Sequence, residues 1–515
     1  MRQILAVSCN RENFEYDIHA LLQSFYPTMQ VKVLLPEKWE EQGVLADIAV
    51  FILDGKAQMS FFMQEQCVPE TDRERAAADS DDAAEPARGP EEGRTKASRE
   101  YVMPLPDEKE KAKQVFKRFL YETLCAETNK TLPWGNLTGI RPTKLAMEMI
   151  EQGAPGEDVI LFLQKEHYVS REKAVLCLDI AVREKSILAQ LDKENGYSLY
   201  IGIPFCPTTC LYCSFTSYPV SAWEKRMDDY LDCLCKEIDY VKEAFGGKAP
   251  ETLYIGGGTP TSLSTERLER LLQKLEEAFP LEHLKEFTVE AGRADSITRE
   301  KLRVIKRRHV SRISVNPQTM KEETLRIIGR RHTAEQVREA FFMAREEGFD
   351  NINMDLILGL PGEDAEDVER TIGAVKELAP DSLTVHSLAL KRASKLNQWI
   401  EENGIETLRN TDETMAIAAA GAKEMGMEPY YLYRQKNMSG NFENTGYARP
   451  GKNGIYNILI MEEKQTIVAC GAGSISKRVY PDGRIERCEN VKDVAQYIER
   501  IDEMIERKRR LLTDF

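Results

Sequence analysis

Three cysteines stand in one short loop, Cys206, Cys210 and Cys213, within Leu199-Tyr-Ile-Gly-Ile-Pro-Phe-Cys-Pro-Thr-Thr-Cys-Leu-Tyr-Cys-Ser-Phe215. The spacing supplies three thiolates, not four. A zinc site takes four ligands, commonly as two separated pairs, and no second pair is at hand. A disulfide would be out of place in a chain whose first apolar stretch is too short for a signal peptide. A cubane iron–sulfur cluster has four irons, so three thiolates leave one iron open to bind and activate a small molecule. Pro204 and Pro207 restrict the loop and help present the sulfurs on one side.

Further candidates recur at the ends of strand-like runs. Tyr254-Ile-Gly-Gly-Gly-Thr-Pro260 places three glycines where a ligand can approach the backbone closely; carbonyls there could hold an ammonium group, and Thr259 could cap the next turn. Glu290 ends the following strand, and a carboxylate there suits a ribose diol; the plainer alternative is a surface acid paired with a lysine. Gln318 and Arg330 follow a fourth strand, in Ser311-Arg-Ile-Ser-Val-Asn-Pro-Gln318 and Gly329-Arg-Arg-His-Thr333. An amide and a guanidinium together could bind a carboxylate or an adenosine hydroxyl. Asp355 sits inside the apolar run Asn351-Ile-Asn-Met-Asp-Leu-Ile-Leu-Gly-Leu-Pro-Gly362 and needs a partner, which a ligand hydroxyl or ammonium would supply. His386, on a sixth strand, reads first as a satisfied core residue and second as a catalytic one.

The elements that must position these residues have a clear rhythm. Over 196–400 six β-rich runs, Ser198–Ile203, Thr252–Ile255, Glu286–Glu290, Arg312–Val315, Asn351–Leu356 and Ser382–Leu388, alternate with charged helical patterns, which predicts a parallel α/β architecture. In such folds chemistry gathers at the C-terminal strand ends. Residues 1–66 predict a small α/β domain, with strands at Arg2–Ser8 and Ile48–Leu53 and a helix around Tyr16–Phe25. Residues 67–104, rich in charge, Ala, Pro and Gly, predict a disordered linker. Residues 105–195 predict a helical domain, interrupted by Leu132-Pro-Trp-Gly-Asn-Leu-Thr-Gly-Ile-Arg-Pro-Thr-Lys-Leu145, a packed turn from which Trp134 and Arg141 could reach a pocket. Residues 401–515 predict an extension of the barrel: a helix, turns over 437–446, strands at Tyr456–Met461 and Thr466–Cys470, then Gly471-Ala-Gly-Ser474 and a terminal helix whose basic run Glu506-Arg-Lys-Arg-Arg510 reads as a solvated, dipole-compatible face.

Composition narrows the class. The chain has 515 residues, 42% hydrophobic and 30% charged, enough for several domains. A net charge of −15 argues against nucleic-acid binding. No apolar run approaches a membrane span, so a cytoplasmic location is expected. Of the 11 cysteines, the eight outside the loop show no metal spacing; Cys233 and Cys235 fall on different faces of a helix.

Together, CxxxCxxC, GGGTP, the strand-end Glu, SRIS…Q, GRRH and NMDLILGLPGE resemble radical SAM enzymes, specifically the oxygen-independent coproporphyrinogen III oxidase group; the N-terminal region and the Pro-Trp-Gly segment resemble its coproporphyrinogen dehydrogenase branch of the HemZ type. The resemblance implies a partial (β/α)6 barrel in which Cys206, Cys210 and Cys213 bind a [4Fe–4S] cluster. S-adenosylmethionine would chelate its unique iron. Gly257, Gly258 and Thr259 would bind the methionine moiety, Glu290, Gln318, Arg330 and Asp355 the remainder, and Tyr200 would lie beside it. It implies a tetrapyrrole substrate, a reduced flavodoxin or ferredoxin as electron donor, and loss of CO2 from a propionate to leave a vinyl group. No catalytic side chain is assigned.

Three departures qualify the substrate. Phe215 stands where the oxidases carry a fourth cysteine, Gly202 replaces a histidine, and the family's further C-terminal portion is expected to be missing. Tyr212 occupies the position matching the oxidases' second S-adenosylmethionine site. The competing functions are heme chaperone, whose branch shares the Phe, and another radical reaction on a tetrapyrrole.

Overall fold

The structure, a computed structural model, describes residues 4–42, 44–62, 99–139, 141–391, 394–435 and 442–513. It divides into two compact units, Met1–Thr138 with Glu166–Val169, and Gly139–Lys165 with Ser170–Phe515.

The first unit is a five-stranded sheet in the order β2-β1-β3-β4-β5, with β1 (Ile4–Cys9), β2 (Gln30–Leu34), β3 (Ile48–Leu53), β4 (Lys56–Phe61) and β5 (Arg99–Pro104). β1 runs parallel to β2 and β3; β4 and β5 return antiparallel. Helices α1 (Glu12–Phe25) and α2 (Lys109–Thr128) share its core, with Phe14 and Phe116 packed edge to face. Most of the linker expected over 67–104 lies outside the described residues, but Arg99–Pro104 at its end is a strand paired along β4. The expected helical segment 105–195 is also divided: α2 belongs to the first unit, whereas Thr143–Glu151 and Arg171–Leu188 belong to the second.

The second unit is built on one sheet of 11 strands. Its centre is six parallel strands, β6 (Tyr197–Ile203), β7 (Thr252–Gly257), β8 (Glu286–Gly292), β9 (Arg312–Val315), β10 (Ile352–Leu358) and β11 (Ser382–Ser387), in sequence order. Each strand neighbours the next in the chain, so right-handed crossovers carry every helix to the same face, and the sheet winds into a partial barrel. Antiparallel β12 (Glu428–Tyr433) and β13 (Asn444–Ala448) extend it beyond β11, and β14 (Thr466–Cys470), β15 (Ile475–Val479) and β16 (Ile485–Glu489) beyond β6.

Strand alternation sorts the barrel into two faces. Leu199, Ile201, Leu253, Ile255, Phe287, Val289, Ile313 and Met354 point outward and pack with residues from the surrounding helices α3 (Met227–Ala244), α4 (Thr265–Ala278), α5 (Arg299–Lys306), α6 (Ala334–Glu346) and α7 (Ala365–Leu378). Burying each such side chain contributes roughly 1.5–3 kcal/mol. The opposite face is polar: Ser198, Tyr200, Tyr254, Glu286, Glu290, Arg312, Asn353, Asp355, Thr384 and His386. A barrel interior filled by aliphatics is a core; this one is lined with hydrogen-bonding groups. Side-chain caps start the helices where the strands' loops end, with Thr333 and Gln336 forming a capping box on α6, and Asp364 and Asp367 on α7.

Three local expectations change in the extension. Tyr456–Met461, rich in apolar residues and expected as a strand, lies within helix α8 (Ile455–Glu462). The Glu286 carboxylate accepts from the N–H groups of Ile455 and Tyr456, a cap supplied by a distant strand that overrides local β-propensity. Of the turns expected over 437–446, residues 436–441 lie outside the described residues, and Asn444–Gly446 form part of β13. The basic run is not all solvated: on the terminal helix α9 (Ile501–Leu511), Lys508 is fully buried.

Candidate active site: a three-thiol loop over a polar barrel mouth

The cysteine loop leaves the end of β6 and is tied down on both flanks. Phe205–Cys206 bridges Tyr218–Pro219, and Tyr218 N–H donates to Pro204 O at 2.8 Å. Leu211 N–H donates to Ile328 O (3.0 Å), and the Thr208 hydroxyl to Gly329 O (2.9 Å).

The glycine strand end receives the loop's base. Gly258 N–H donates to Ile203 O and Thr259 N–H to Phe205 O, both at 2.7 Å. A Cβ on Gly258 would fall 2.6 Å from Phe205 O and 2.8 Å from Ile203 O. Gly257 has φ +105, and a Cβ there would come 3.0 Å from the Tyr200 hydroxyl. The sequence alone ascribed these glycines to ligand approach; they first let two backbones meet. The Thr259 hydroxyl lies 3.5 Å from Cys206 Sγ.

Cys210 is buried, and Cys206 and Cys213 are partly open. Burial and the charges of the other two thiols push Cys206 up to about 11 against the Thr259 contact and Arg293. A thiol so raised stays protonated until a metal binds and displaces the proton. Among the described residues no three His, Cys, Asp or Glu side chains converge on a single ion. A cubane instead presents each thiolate to a different iron, so its ligands must stand apart.

Two arginines surround Cys210. Arg293, buried on the loop after β8, is fixed by a bidentate pair with Asp295 (2.9 and 2.6 Å) and donates to Thr208 O and Oγ1 (3.0 and 2.6 Å), with Nη1 3.9 Å from Cys210 Sγ. Arg330 donates to Asn316 O (2.5 Å) and to the Tyr212 hydroxyl (3.1 Å). His332 is buried 3.9 Å from Asp295 with neither ring nitrogen hydrogen-bonded. Arg293 was missed by sequence reading: it stands beyond the strand-end glutamate, and nothing local marks it as facing a loop 85 residues earlier.

In the barrel interior, the rings of Tyr200, Tyr254 and Tyr456 stack, with Tyr254 and Tyr456 4.5 Å apart. The Tyr254 hydroxyl donates to Glu290. Burial pushes Glu290 up to about 7, aided by Asp355 and opposed by the Tyr254 and Gly257 hydrogen bonds and His386. Burial also pushes Asp355 up, but His386, Asn353 and Thr384 outweigh it and hold that carboxyl below its ordinary value. His386 is thus no plain core residue: Nε2 lies 3.9 Å from Asp355, and Nδ1 3.4 Å from the Tyr433 hydroxyl. Tyr254, Tyr456 and Tyr433 were also missed, and Tyr456 reaches the site only because α8 is a helix.

Gln318 adopts a left-handed backbone (φ 69), donates its N–H to Asp355 O, and leaves its carboxamide oxygen buried without a partner. It lines a small cavity with Glu363, Val368 and Thr371, and its expected companion Arg330 bonds elsewhere. Trp134 and Arg141 reach no site: Trp134 is fully buried in the first unit, and Arg141 binds Met461 O and Glu463 in the second.

A partial barrel with three thiols over a polar mouth defines a radical SAM protein, and residues 200–375 match the Radical SAM superfamily. The solved structure of coproporphyrinogen III oxidase (HemN) from Escherichia coli, described as a radical SAM enzyme, shares the fold: TM-score 0.50 at 24% identity, covering 65% of this chain and 73% of that one. The chain is 41% identical over 416 residues to the oxygen-independent coproporphyrinogen-III oxidase-like protein HemZ of Bacillus subtilis, covering 79% of this chain and 83% of the relative. It is 32% identical over 307 residues to the heme chaperone HemW of the same organism, covering 59% and 76%. The chain belongs to this HemZ, HemW and HemN family of radical SAM proteins.

The superfamily uses a [4Fe–4S] cluster and S-adenosylmethionine. The residues present fit both. Three thiols share one loop, and the unpartnered buried atoms Ser314 Oγ, Asn316 Oδ1, Gln318 Oε1 and Arg330 Nε are the mixed donors and acceptors a polar ligand needs. Among the described residues no helix is long and apolar enough to cross a membrane.

Arg293 supplies a testable consequence. With a cluster held by these thiols, its charge beside Cys210 would favour the reduced, more negative state. Arg293→Ala is expected to lower the cluster's reduction potential by roughly 60 mV, a tenfold change in a one-electron equilibrium, while Arg293→Lys restores part of it. A redox titration followed by EPR reads the difference.

Proposed function

We propose that the chain catalyses oxidative decarboxylation of coproporphyrinogen III to protoporphyrinogen IX in anaerobic porphyrin biosynthesis. The observation that carries this is the 41% identity to an oxidase-like relative across 83% of its length. When bound, the cluster and S-adenosylmethionine supply a reducing electron and a hydrogen-abstracting carbon.

In this proposal Cys206, Cys210 and Cys213 hold the cluster. Gly257, Gly258 and Thr259 border the methionine moiety, Glu290 and Asp355 accept from its hydroxyl or ammonium groups, and Gln318, Arg330 and Tyr212 complete the polar wall. Tyr200, stacked with Tyr254 and Tyr456, provides a flat apolar floor that keeps water from the reacting carbon. Each reacting propionate loses one hydrogen atom, one electron and CO2. A reduced flavodoxin or ferredoxin supplies the reducing electron, and a one-electron acceptor takes the last one from the substrate.

A pH dependence follows. Glu290 accepts from ligand hydroxyls more strongly when ionised, and burial raises it to about 7. Affinity for S-adenosylmethionine should therefore rise as pH increases from 6 to 8, and Glu290→Gln should flatten the rise. Equilibrium dialysis at several pH values checks this; an equal slope in the variant excludes Glu290 as its source.

Anaerobic incubation of the reconstituted protein with coproporphyrinogen III, S-adenosylmethionine and a reductant tests the activity. Vinyl-bearing product with CO2 release supports it; an intact cluster with no vinyl product contradicts it. One feature favours a second reading, heme chaperone: Phe215, 75% exposed, stands where the oxidases carry a cysteine, and the heme chaperone HemW is a close relative in sequence. Stoichiometric heme binding without turnover would establish that role instead.

A further inference from the structure

Lys508 and Glu237 form a fully buried ion pair at 2.5 Å, on two different helices and 271 residues apart in sequence. Lysine is almost never buried unless paired, and such a pair adds little net stability over an apolar replacement. What it holds is therefore informative. Glu237 Oε2 accepts from Gly471 N–H (2.7 Å) and the Tyr497 hydroxyl (2.6 Å). Oε1 accepts from Lys508 and from Asn490 Nδ2 (2.8 Å), and Asn490 also donates to Gly471 O (2.9 Å) while accepting from Lys508 (2.7 Å). Both polar groups of Gly471 are thus fixed by one network.

The segment so fixed touches the cysteine loop at both ends. Gly471 has φ +100, and a Cβ there would fall 2.5 Å from Gly202 O, four residues before Cys206. Tyr230 ties the same two strands, donating to Gly202 O (2.7 Å) and accepting from Ala472 N–H (3.1 Å). A Cβ on Gly473 would fall 2.8 Å from the Thr216 hydroxyl, three residues after Cys213. Gly471-Ala-Gly-Ser474 therefore braces the stretch from Gly202 to Thr216 that carries all three thiols.

We propose that Glu237 and Lys508 are positioning residues for the cluster, acting through Gly471-Ala-Gly-Ser474 on the cysteine loop. The proposal rests on the three cysteines holding the cluster, which the iron content of the unaltered protein tests separately. The full chain is reconstituted anaerobically as wild type, Glu237→Gln, the double variant Glu237→Leu/Lys508→Met, and Gly473→Ala. The double variant replaces the pair with apolar side chains but removes the acceptor for Gly471. Glu237→Gln keeps that acceptor. Gly473→Ala leaves the pair intact, and disturbs the contact with Thr216 and the left-handed backbone of Gly473 (φ +72).

Iron content, EPR of the reduced cluster with and without S-adenosylmethionine, and its dissociation constant are read beside the thermal melt. The double variant and Gly473→Ala should show shifted EPR signals and at least tenfold weaker S-adenosylmethionine binding, with Glu237→Gln within threefold of wild type. Wild-type signals and affinity in the double variant, whatever its melting temperature and whatever Gly473→Ala shows, overturn the proposal. Should the double variant not fold, Asn490→Ala, which cuts the link from the pair to Gly471 O while keeping Glu237 and Lys508, decides by the same readouts: a shifted signal supports the proposal and a wild-type one overturns it.

Discussion

Cys210→Ala is expected to abolish S-adenosylmethionine cleavage, lowering it by at least about a thousandfold, roughly 4 kcal/mol of transition-state free energy. Cys210 is the most enclosed of the three thiols and the one flanked by Arg293. In the proposed arrangement its loss leaves two ligands for a four-iron cluster, and the two cations assembled around a thiol then face an apolar methyl. Iron per chain should fall to a small fraction of wild type after desalting. Cys177→Ala provides the contrast. That thiol is fully buried, and burial first of all pushes it far above its ordinary value, so it is a packed, protonated side chain. Its loss should cost about 1–2 kcal/mol of stability and leave iron content unchanged.

Gly258→Ala should be nearly as damaging without touching a thiol. The added methyl would press on Phe205 O and Ile203 O, which are backbone atoms and cannot rotate away. Relief requires β7 to separate from the base of the cysteine loop, breaking the hydrogen bonds from Gly258 and Thr259 N–H. Overpacking of this kind costs about 1–3 kcal/mol, and misplacement by an ångström near reacting atoms costs about a hundredfold in rate. Turnover should fall by about that factor, with melting lowered by several degrees. Gly373→Ala sets the baseline: it lies on α7 with nothing within 4 Å of the new carbon. That exchange should stabilise by about 0.5–1 kcal/mol and leave turnover unaltered.

The parallel α/β sheet was legible because its signal is local, whereas its closure into a partial barrel was implied only by the family resemblance. Period-two alternation in runs such as Thr252–Ile255 and Glu286–Glu290 marks both the strand and its two faces, and the residues at the polar positions are those that line the mouth. The three-thiol spacing is equally local. What escaped is what other elements dictate. Tyr456 rides on a helix capped by Glu286, a residue 170 positions away, so local composition pointed to a strand. Lys508 reads as one charge in a solvated run; only its partner Glu237, 271 residues earlier, explains its burial. Arg293 was passed over, and His386 read first as a core residue, for the same reason: each acquires its chemistry from groups on other elements.

The most direct test is EPR of the anaerobically reconstituted, reduced protein, with iron and sulfide measured on the same sample and spectra recorded before and after adding S-adenosylmethionine. About four irons per chain and a signal that changes on addition are expected, because an iron with no protein thiolate is free to take the ligand. A colourless protein holding zinc or no metal, or a cluster whose spectrum is indifferent to S-adenosylmethionine, would contradict the account.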